Sequence, residues 1–86
     1  MRKTKALRKP SSPLTAILAV NLRAFREAKG ISQEQFADMC GLHRTYVGSV
    51  ERGERNVTLS TLEVFASVIG VSVSHLLSGK TPKHDR

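Results

Sequence analysis

The chain has few aromatic side chains, with three Phe, one Tyr and no Trp among 86 residues. Proteins that bind single-stranded nucleic acid without sequence preference stack bases on aromatic side chains, so this composition argues against that class. The single cysteine, Cys40, excludes an internal disulfide, and its position predicts a small core side chain rather than a reactive thiol. No apolar run approaches the length of a membrane span or a secretory signal core. We therefore expect a cytoplasmic protein without a membrane segment.

The sequence also lacks the motifs of catalytic and metal sites. His43, His75 and His84 lie too far apart for a metal-ligand spacing, and neither a nucleophile elbow nor a phosphate-binding loop is present. We expect no catalytic residue, no metal and no cofactor. With 86 residues there is no room for a second, ligand-sensing domain, so no small-molecule ligand is expected.

Positive charge is concentrated at the two ends of the chain. The net charge is +7, and residues 1–13 carry five basic side chains and no acid. Residues 80–86 carry three basic and one acidic side chain, while residues 14–79 carry six of each. Residues 1–11 have no hydrophobic period, which predicts a disordered basic arm, either lying along DNA or acting as a solubilising tail. Residues 80–86 are predicted to form a polar tail.

The stretch from Ser32 to Asn56 contains two short helical patterns separated by Cys40-Gly41-Leu42. Ser32 followed by Gln35 is a capping box, and Gly41 suits a left-handed helix end. The second helix is predicted from about His43 to about Arg52. This arrangement is typical of a helix-turn-helix that presents its second helix to DNA.

The second of these helices has two unlike faces. Val47 and Val50 are predicted to point inward, whereas the opposite side carries Arg44, Thr45, Gly48 and Ser49. Guanidinium groups read guanine, hydroxyls are short adaptable partners and a glycine permits close approach, so this face suits a DNA groove. The alternative is an ordinary solvated face of a small helical domain.

The motifs resemble the helix-turn-helix of phage repressors, Cro proteins and their bacterial relatives. The residues that carry this resemblance are Ile31 to Glu34, Gly41, and Val50 to Gly53. Arg44 to Val47, together with Glu51 to Leu59, is most similar to the controller proteins of restriction-modification systems. The resemblance covers about residues 14–79. It implies an all-α, compact five-helix, repressor-like DNA-binding domain, which we expect over residues 12–79.

The resemblance also assigns roles to individual residues. It implies a structural ion pair between Arg26 and Glu51, and a phosphate clamp at Gln33, which would also brace the first recognition side chain. It further implies contacts to DNA from the loop after the second helix. We therefore predict the following DNA-binding residues: Gln33, His43, Arg44, Thr45, Tyr46, Gly48, Ser49, Arg52, Arg55 and Asn56. Of these, Arg44 is the strongest candidate for reading a base. For Tyr46, phosphate contact and packing remain equal alternatives, and His43 is expected to serve as an N-cap or a backbone contact.

The remaining helices follow from caps and apolar spacing. Ser12 and Pro13 predict an N-cap and first position for a helix from about Leu14 to Lys29, with an apolar stripe of Ile17, Leu18, Leu22 and Phe25. Ser60 with Glu63 predicts a capping box, with the fourth helix beginning at about Thr61 and ending before Gly70. Its predicted buried stripe is Leu59, Leu62, Phe65, Ala66 and Ile69. A short fifth helix, capped by Ser72 or Ser74, is predicted to contain Leu76 and Leu77.

The last two helices carry more apolar side chains than a core of this size needs: Val64, Val68, Val71, Val73 and Leu77. By resemblance, such residues form a two-fold dimer contact, although they could simply complete the core. The expected function is a transcriptional regulator that binds a pseudo-palindromic site on double-stranded DNA as a homodimer. A restriction-modification controller is one candidate, and a prophage repressor or an antitoxin-like protein-interaction module is the alternative.

Overall fold

The computed structural model describes residues 12–79, which form five α-helices and no strand. The predicted basic arm at residues 1–11 and polar tail at residues 80–86 lie outside these residues. The helices are α1 (Ser12–Lys29), α2 (Gln33–Cys40), α3 (Arg44–Glu51), α4 (Leu59–Ile69) and α5 (Val73–Leu76). The expected all-α, five-helix fold is confirmed. Within residues 12–79, no helix has both the length and the apolar character needed to cross a membrane.

The first helix already includes Ser12, so it begins two residues before the predicted start at Leu14. The assignment of Ser12 as the N-cap is therefore wrong. Pro13 is accommodated because a proline near the start of a helix loses no intrahelical hydrogen bond. Leu18 and Leu22 are buried as expected, and Ala19 is buried beside them.

The second and third helices begin and end where their capping residues predict. The Ser32 hydroxyl accepts the N–H of Gln35 at 3.0 Å, and the Gln35 side chain accepts the N–H of Ser32 at 2.8 Å. Gly41 ends α2 with φ +70°, a conformation that is costly for residues with a Cβ. His43 caps α3 by accepting the N–H of Thr45 through Nδ1 at 3.1 Å.

The start of α4 differs from the prediction. Thr58, rather than Ser60, is the N-cap, and its hydroxyl accepts the N–H of Thr61 at 3.1 Å. The helix therefore begins at Leu59, and Leu59 is 78% exposed instead of forming part of the buried stripe. The extended backbone of Thr58 lets its hydroxyl reach the third helical N–H, so the similar spacing of Ser60 and Glu63 is not used.

The core lies between α1, α2 and α3 on one side and α4 and α5 on the other. Phe36 is at its centre, with its ring centroid 5.6 Å from that of Phe25 and 5.8 Å from that of Phe65. The largest fully buried side chains are Phe36, Phe65, Leu22, Leu76, Val47 and Val50. Cys40 packs against this cluster, and burial raises the pKa of its thiol to about 11, which agrees with the predicted packing role. Ser72 caps α5, as one of the two predicted alternatives.

Candidate nucleic-acid interface

The turn between α2 and α3 is closed by backbone hydrogen bonds. The N–H of Leu42 donates to the carbonyl of Ala37 at 2.9 Å, and the N–H of Gly41 donates to that of Asp38 at 3.1 Å. α3 packs against both α1 and α2, with Val47 and Val50 buried. The turn therefore leaves the first residues of α3 facing solvent.

The exposed start of α3 contains His43, Arg44 and Thr45. His43 acts as the N-cap, as one of its two predicted roles. Within residues 12–79, the guanidinium of Arg44 makes no hydrogen bond or ion pair, so its donors are all available to a ligand. The geometry is suited to a major-groove contact, in which a bidentate arginine reads the O6 and N7 atoms of guanine. The DNA contacts of these residues stay predictions.

Gly48 and Ser49 do not share this open face, which corrects the prediction from helical spacing. Ser49 is 7% exposed, and its hydroxyl donates to the carbonyl of Tyr46 at 2.7 Å. Gly48 is buried against Gln33, and a Cβ there would lie 3.2 Å from Gln33 Oε1. The surfaces over these two residues are covered by side chains from α2 and from the loop after α3, which helical spacing alone does not reveal.

The carboxylate of Glu51 is the centre of a buried polar network. Glu51 is 3% exposed and accepts hydrogen bonds from Arg26 Nε at 2.7 Å, Arg26 Nη2 at 2.8 Å and Gln33 Nε2 at 3.1 Å. The backbone carbonyl of Glu51 accepts a further bond from Arg23. The hydrogen bond to Glu51 is the main cause that raises the pKa of Arg26. The expected ion pair is present and joins α1 to the end of α3, and the hydrogen bond from Gln33 adds α2 to the same network.

Gln33 occupies the first position of α2, as predicted. Its Nε2 atom is directed to Glu51, and its Oε1 atom lies close to Gly48. The amide is therefore held in one orientation at the helix start, where free backbone N–H groups attract a phosphate oxygen. This geometry is compatible with the predicted phosphate clamp.

The loop after α3 turns back on that helix, which is the recognition helix of the predicted helix-turn-helix. Gly53 has φ +75°, and the N–H of Glu54 donates to the carbonyl of Ser49 at 3.0 Å. Arg55 Nε donates to the Ser49 hydroxyl at 2.9 Å, and the Arg55 guanidinium lies 5.1 Å from the ring centroid of Tyr46. Tyr46 is half-buried and packs against the core, which favours the packing alternative for its ring.

The exposed Arg52 pairs with Glu54, its Nε and Nη2 donating to the two carboxylate oxygens at 3.1 Å each. This hydrogen bonding lowers the pKa of Glu54 and raises that of Arg52. Asn56 is exposed at the end of the loop. The predicted residues Arg52, Arg55 and Asn56 thus lie beside the C-terminal end of α3.

Sequence reasoning missed two participants. Arg23 holds the last carbonyl of α3, and it lies three residues before Arg26 on the same face of α1, a spacing that could have identified it. Glu54 places a carboxylate in an otherwise basic loop and pairs with Arg52. Its position two residues after Arg52 in the sequence was the signal that could have identified this pair. Within residues 12–79, no group of three or more His, Cys, Asp or Glu side chains could hold a metal ion.

Comparison with known proteins gives close matches. The helix-turn-helix profile HTH_3 matches residues 22–76. The control protein C.SmaI of Serratia marcescens is 53% identical over 70 residues, which cover 81% of this chain and 83% of that protein. The crystal structure of the restriction-modification controller protein C.AhdI from Aeromonas hydrophila has a TM-score of 0.66 and 42% identity, covering 72% of this chain and 94% of that one. The controller protein C.Esp1396I, solved as a tetramer in complex with its natural 35 base-pair operator, has a TM-score of 0.67 and 32% identity, covering 77% of this chain and 87% of that one.

Proposed function

This chain belongs to the helix-turn-helix family HTH_3, and we propose that it is a sequence-specific DNA-binding transcriptional regulator. The observation that carries this proposal is the exposed, unpaired guanidinium of Arg44 at the start of α3, a helix whose C-terminal end is tied to α1 and α2 by the buried Glu51 network. A rigid helix that presents a free guanidinium is what major-groove recognition requires. The resemblance to control proteins supports the same function.

We assign the described residues to two kinds of DNA contact, with the phosphate backbone and with base edges. Gln33, held at the N-terminus of α2, would bind a phosphate and set the register on DNA. Arg44 and Thr45 would read base edges, and Arg55 would extend the reading surface from the loop. His43, Arg52 and Asn56 border these residues and would contact the backbone, whereas Tyr46 would support Arg55 by packing beneath its guanidinium.

The protein is proposed to act as a homodimer on a pseudo-palindromic operator. Val64 is 36% exposed on α4, and Val68 of α4, Val71 of the following turn, Val73 of α5 and Leu77 at its end are only partly buried. An apolar surface of this kind suits a two-fold contact between copies. Two recognition helices would then enter successive major grooves about 34 Å apart. The tetrameric state of C.Esp1396I on its operator supports assembly on DNA.

The preferred biological role is control of a restriction-modification system, because the relatives that match most of the chain include control proteins. A cytoplasmic location follows from that role. We propose binding without catalysis, cofactor or small-molecule ligand. The rival roles are a prophage repressor, which also reads an operator, and an antitoxin-like module, which would bind a protein through the valine-rich surface.

The test is selection of bound sites from random-sequence duplex DNA at about physiological salt, using the full chain. We expect an enriched inverted repeat with fixed half-site spacing. Retention of DNA without an enriched sequence would replace the proposal with architectural binding driven by the basic ends. No retention at all would favour the protein-interaction role, which predicts a salt-insensitive complex with a protein and none with DNA.

A further inference from the structure

The side chain of Ser49 in α3 contacts the loop that follows this helix. It is buried, its hydroxyl donates to the Tyr46 carbonyl one turn earlier, and the same oxygen accepts Arg55 Nε at 2.9 Å. Its own backbone carbonyl accepts the N–H of Glu54 at 3.0 Å. A single residue of the recognition helix therefore holds both the backbone of the loop and the side chain of Arg55.

Arg55 is restrained in two directions at once. The hydrogen bond from Nε fixes the distance of its guanidinium from α3, and the ring of Tyr46, 5.1 Å from the guanidinium carbon, lies beneath it. The ring itself is packed against the core. An arginine on a loop otherwise samples many rotamers, and the loss of that freedom on binding weakens affinity.

These contacts determine which part of the guanidinium is available. An arginine can approach a base through Nε and Nη2 or through its two terminal nitrogens. Here Nε is already engaged, and within residues 12–79 the terminal nitrogens of Arg55 make no hydrogen bond. The side chain therefore presents only its terminal pair of nitrogens, the end that matches two acceptors on one guanine edge.

We propose that Ser49 is a positioning residue for base recognition: it orients Arg55 and does not itself contact DNA. This inference rests on the proposed function, and it replaces the prediction that the Ser49 hydroxyl reads a base. Ser49 would then determine specificity at the base pair that Arg55 faces, while Arg44 determines specificity at another.

The first test is made on the free, full-length protein, without DNA. The ¹⁵N relaxation of the Arg55 Nε–H group is compared in the native chain, Ser49→Ala and Ser49→Thr. We expect Ser49→Ala to lower its order parameter to below about 0.6, the flexible range, and to leave the Arg44 Nε–H group unchanged. Alanine is well tolerated in helices, and threonine keeps a hydroxyl able to bond the carbonyl one turn back, so Ser49→Thr should retain the native value. Equal order parameters for the Arg55 Nε–H group in the native chain and in Ser49→Ala would overturn the proposal.

The second test measures base preference by site selection for Ser49→Ala, Arg55→Lys and the double variant. Arg55→Lys keeps the charge but lacks the planar fork. We expect Ser49→Ala to reduce preference at one symmetric pair of positions by about five- to tenfold, the lower part of the range that a single bidentate contact supplies. In the Arg55→Lys background, Ser49→Ala should have no further effect, whereas with Arg44→Ala its effect should be additive.

These outcomes distinguish the positioning role of Ser49 from the DNA-binding function on which it rests. An equal loss from Ser49→Ala with and without Arg55→Lys would mean that Ser49 contacts DNA directly, and the proposal would be wrong. Enrichment of no sequence by the native chain would overturn the proposed function and the base-reading role together. The relaxation measurement would still decide, in that event, whether Ser49 holds Arg55.

Discussion

Arg26 and Glu51 form a bidentate ion pair, in which Nε and Nη2 of the arginine donate to the two carboxylate oxygens at 2.7 and 2.8 Å. Arg26 Nη1 also donates to the carbonyl of Ile31, at 3.1 Å, between α1 and α2. The pair therefore joins the end of the recognition helix to the helix that precedes the helix-turn-helix. Because the carboxylate is buried, its loss would leave the arginine without a compensating charge.

We expect Glu51→Ala to reduce the free energy of unfolding by roughly 3–5 kcal/mol, the cost of breaking a buried ion pair by removing one partner. Urea unfolding followed by circular dichroism measures this value. Glu63→Ala, which removes an exposed carboxylate of α4, is the matched control and should change stability by no more than about 0.5 kcal/mol. Similar losses for the two variants would contradict a special role for the pair.

A second prediction concerns Gly48, which lies against the Gln33 side chain. Gly48→Ala should gain up to about 1 kcal/mol from helix propensity, but the new Cβ, 3.2 Å from Gln33 Oε1, must displace the amide that binds Glu51. The two effects should nearly cancel in the native background. In a Gln33→Ala background only the gain should remain, so urea unfolding of the four proteins should show a clear interaction between the sites. Additive effects would show that Gln33 does not restrict this position.

Arg44→Ala should weaken binding to the selected operator far more than binding to random duplex DNA. The lost contact reads a base, and a bidentate arginine contributes about 1–3 kcal/mol of discrimination. Fluorescence anisotropy at fixed salt measures both affinities. Lys29→Ala removes an exposed charge from the end of α1 and serves as the control. Equal losses of affinity for the two DNAs would show that Arg44 does not read a base.

The Arg52–Glu54 pair predicts a specific titration behaviour. The hydrogen bond from Arg52 lowers the pKa of Glu54, so the interaction is fully present above the ordinary glutamate pKa and disappears as the pH falls through the lowered value. Arg52→Gln should therefore raise the pKa of Glu54 toward its ordinary value. Carboxyl ¹³C titration followed by NMR gives both values, and an unchanged pKa would show that the pair does not form in solution.

Deletion of residues 1–11 should weaken binding to operator and random DNA alike and should flatten the dependence of affinity on salt. The segment carries five basic side chains, and each phosphate contact contributes about 0.9 to the slope of log K against log salt. Removal of residues 80–86 provides a comparison at the other end of the chain. A slope that is unchanged by the first deletion would make the segment a solubilising tail.

Much of the fold was predictable because it depends on local chemistry. The capping box of Ser32 and Gln35, the left-handed Gly41 and the inward spacing of Val47 and Val50 each involve neighbours within about one helical turn. The start of α4 was misplaced because Thr58 and Ser60 offer competing caps of similar chemistry. Local pattern cannot rank two such caps.

The sequence alone determined the helix-turn-helix and its capping residues, since both follow from spacing along the chain. The Arg26–Glu51 pair was expected only because the motif residues resemble those of repressors. Tertiary structure decided which polar side chains of α3 are available. Ser49 and Thr45 lie on neighbouring turns, yet Thr45 faces solvent while Ser49 is covered by the Arg55 loop. The physical reason is that burial depends on segments that return from elsewhere in the chain, and helical periodicity contains no information about their return.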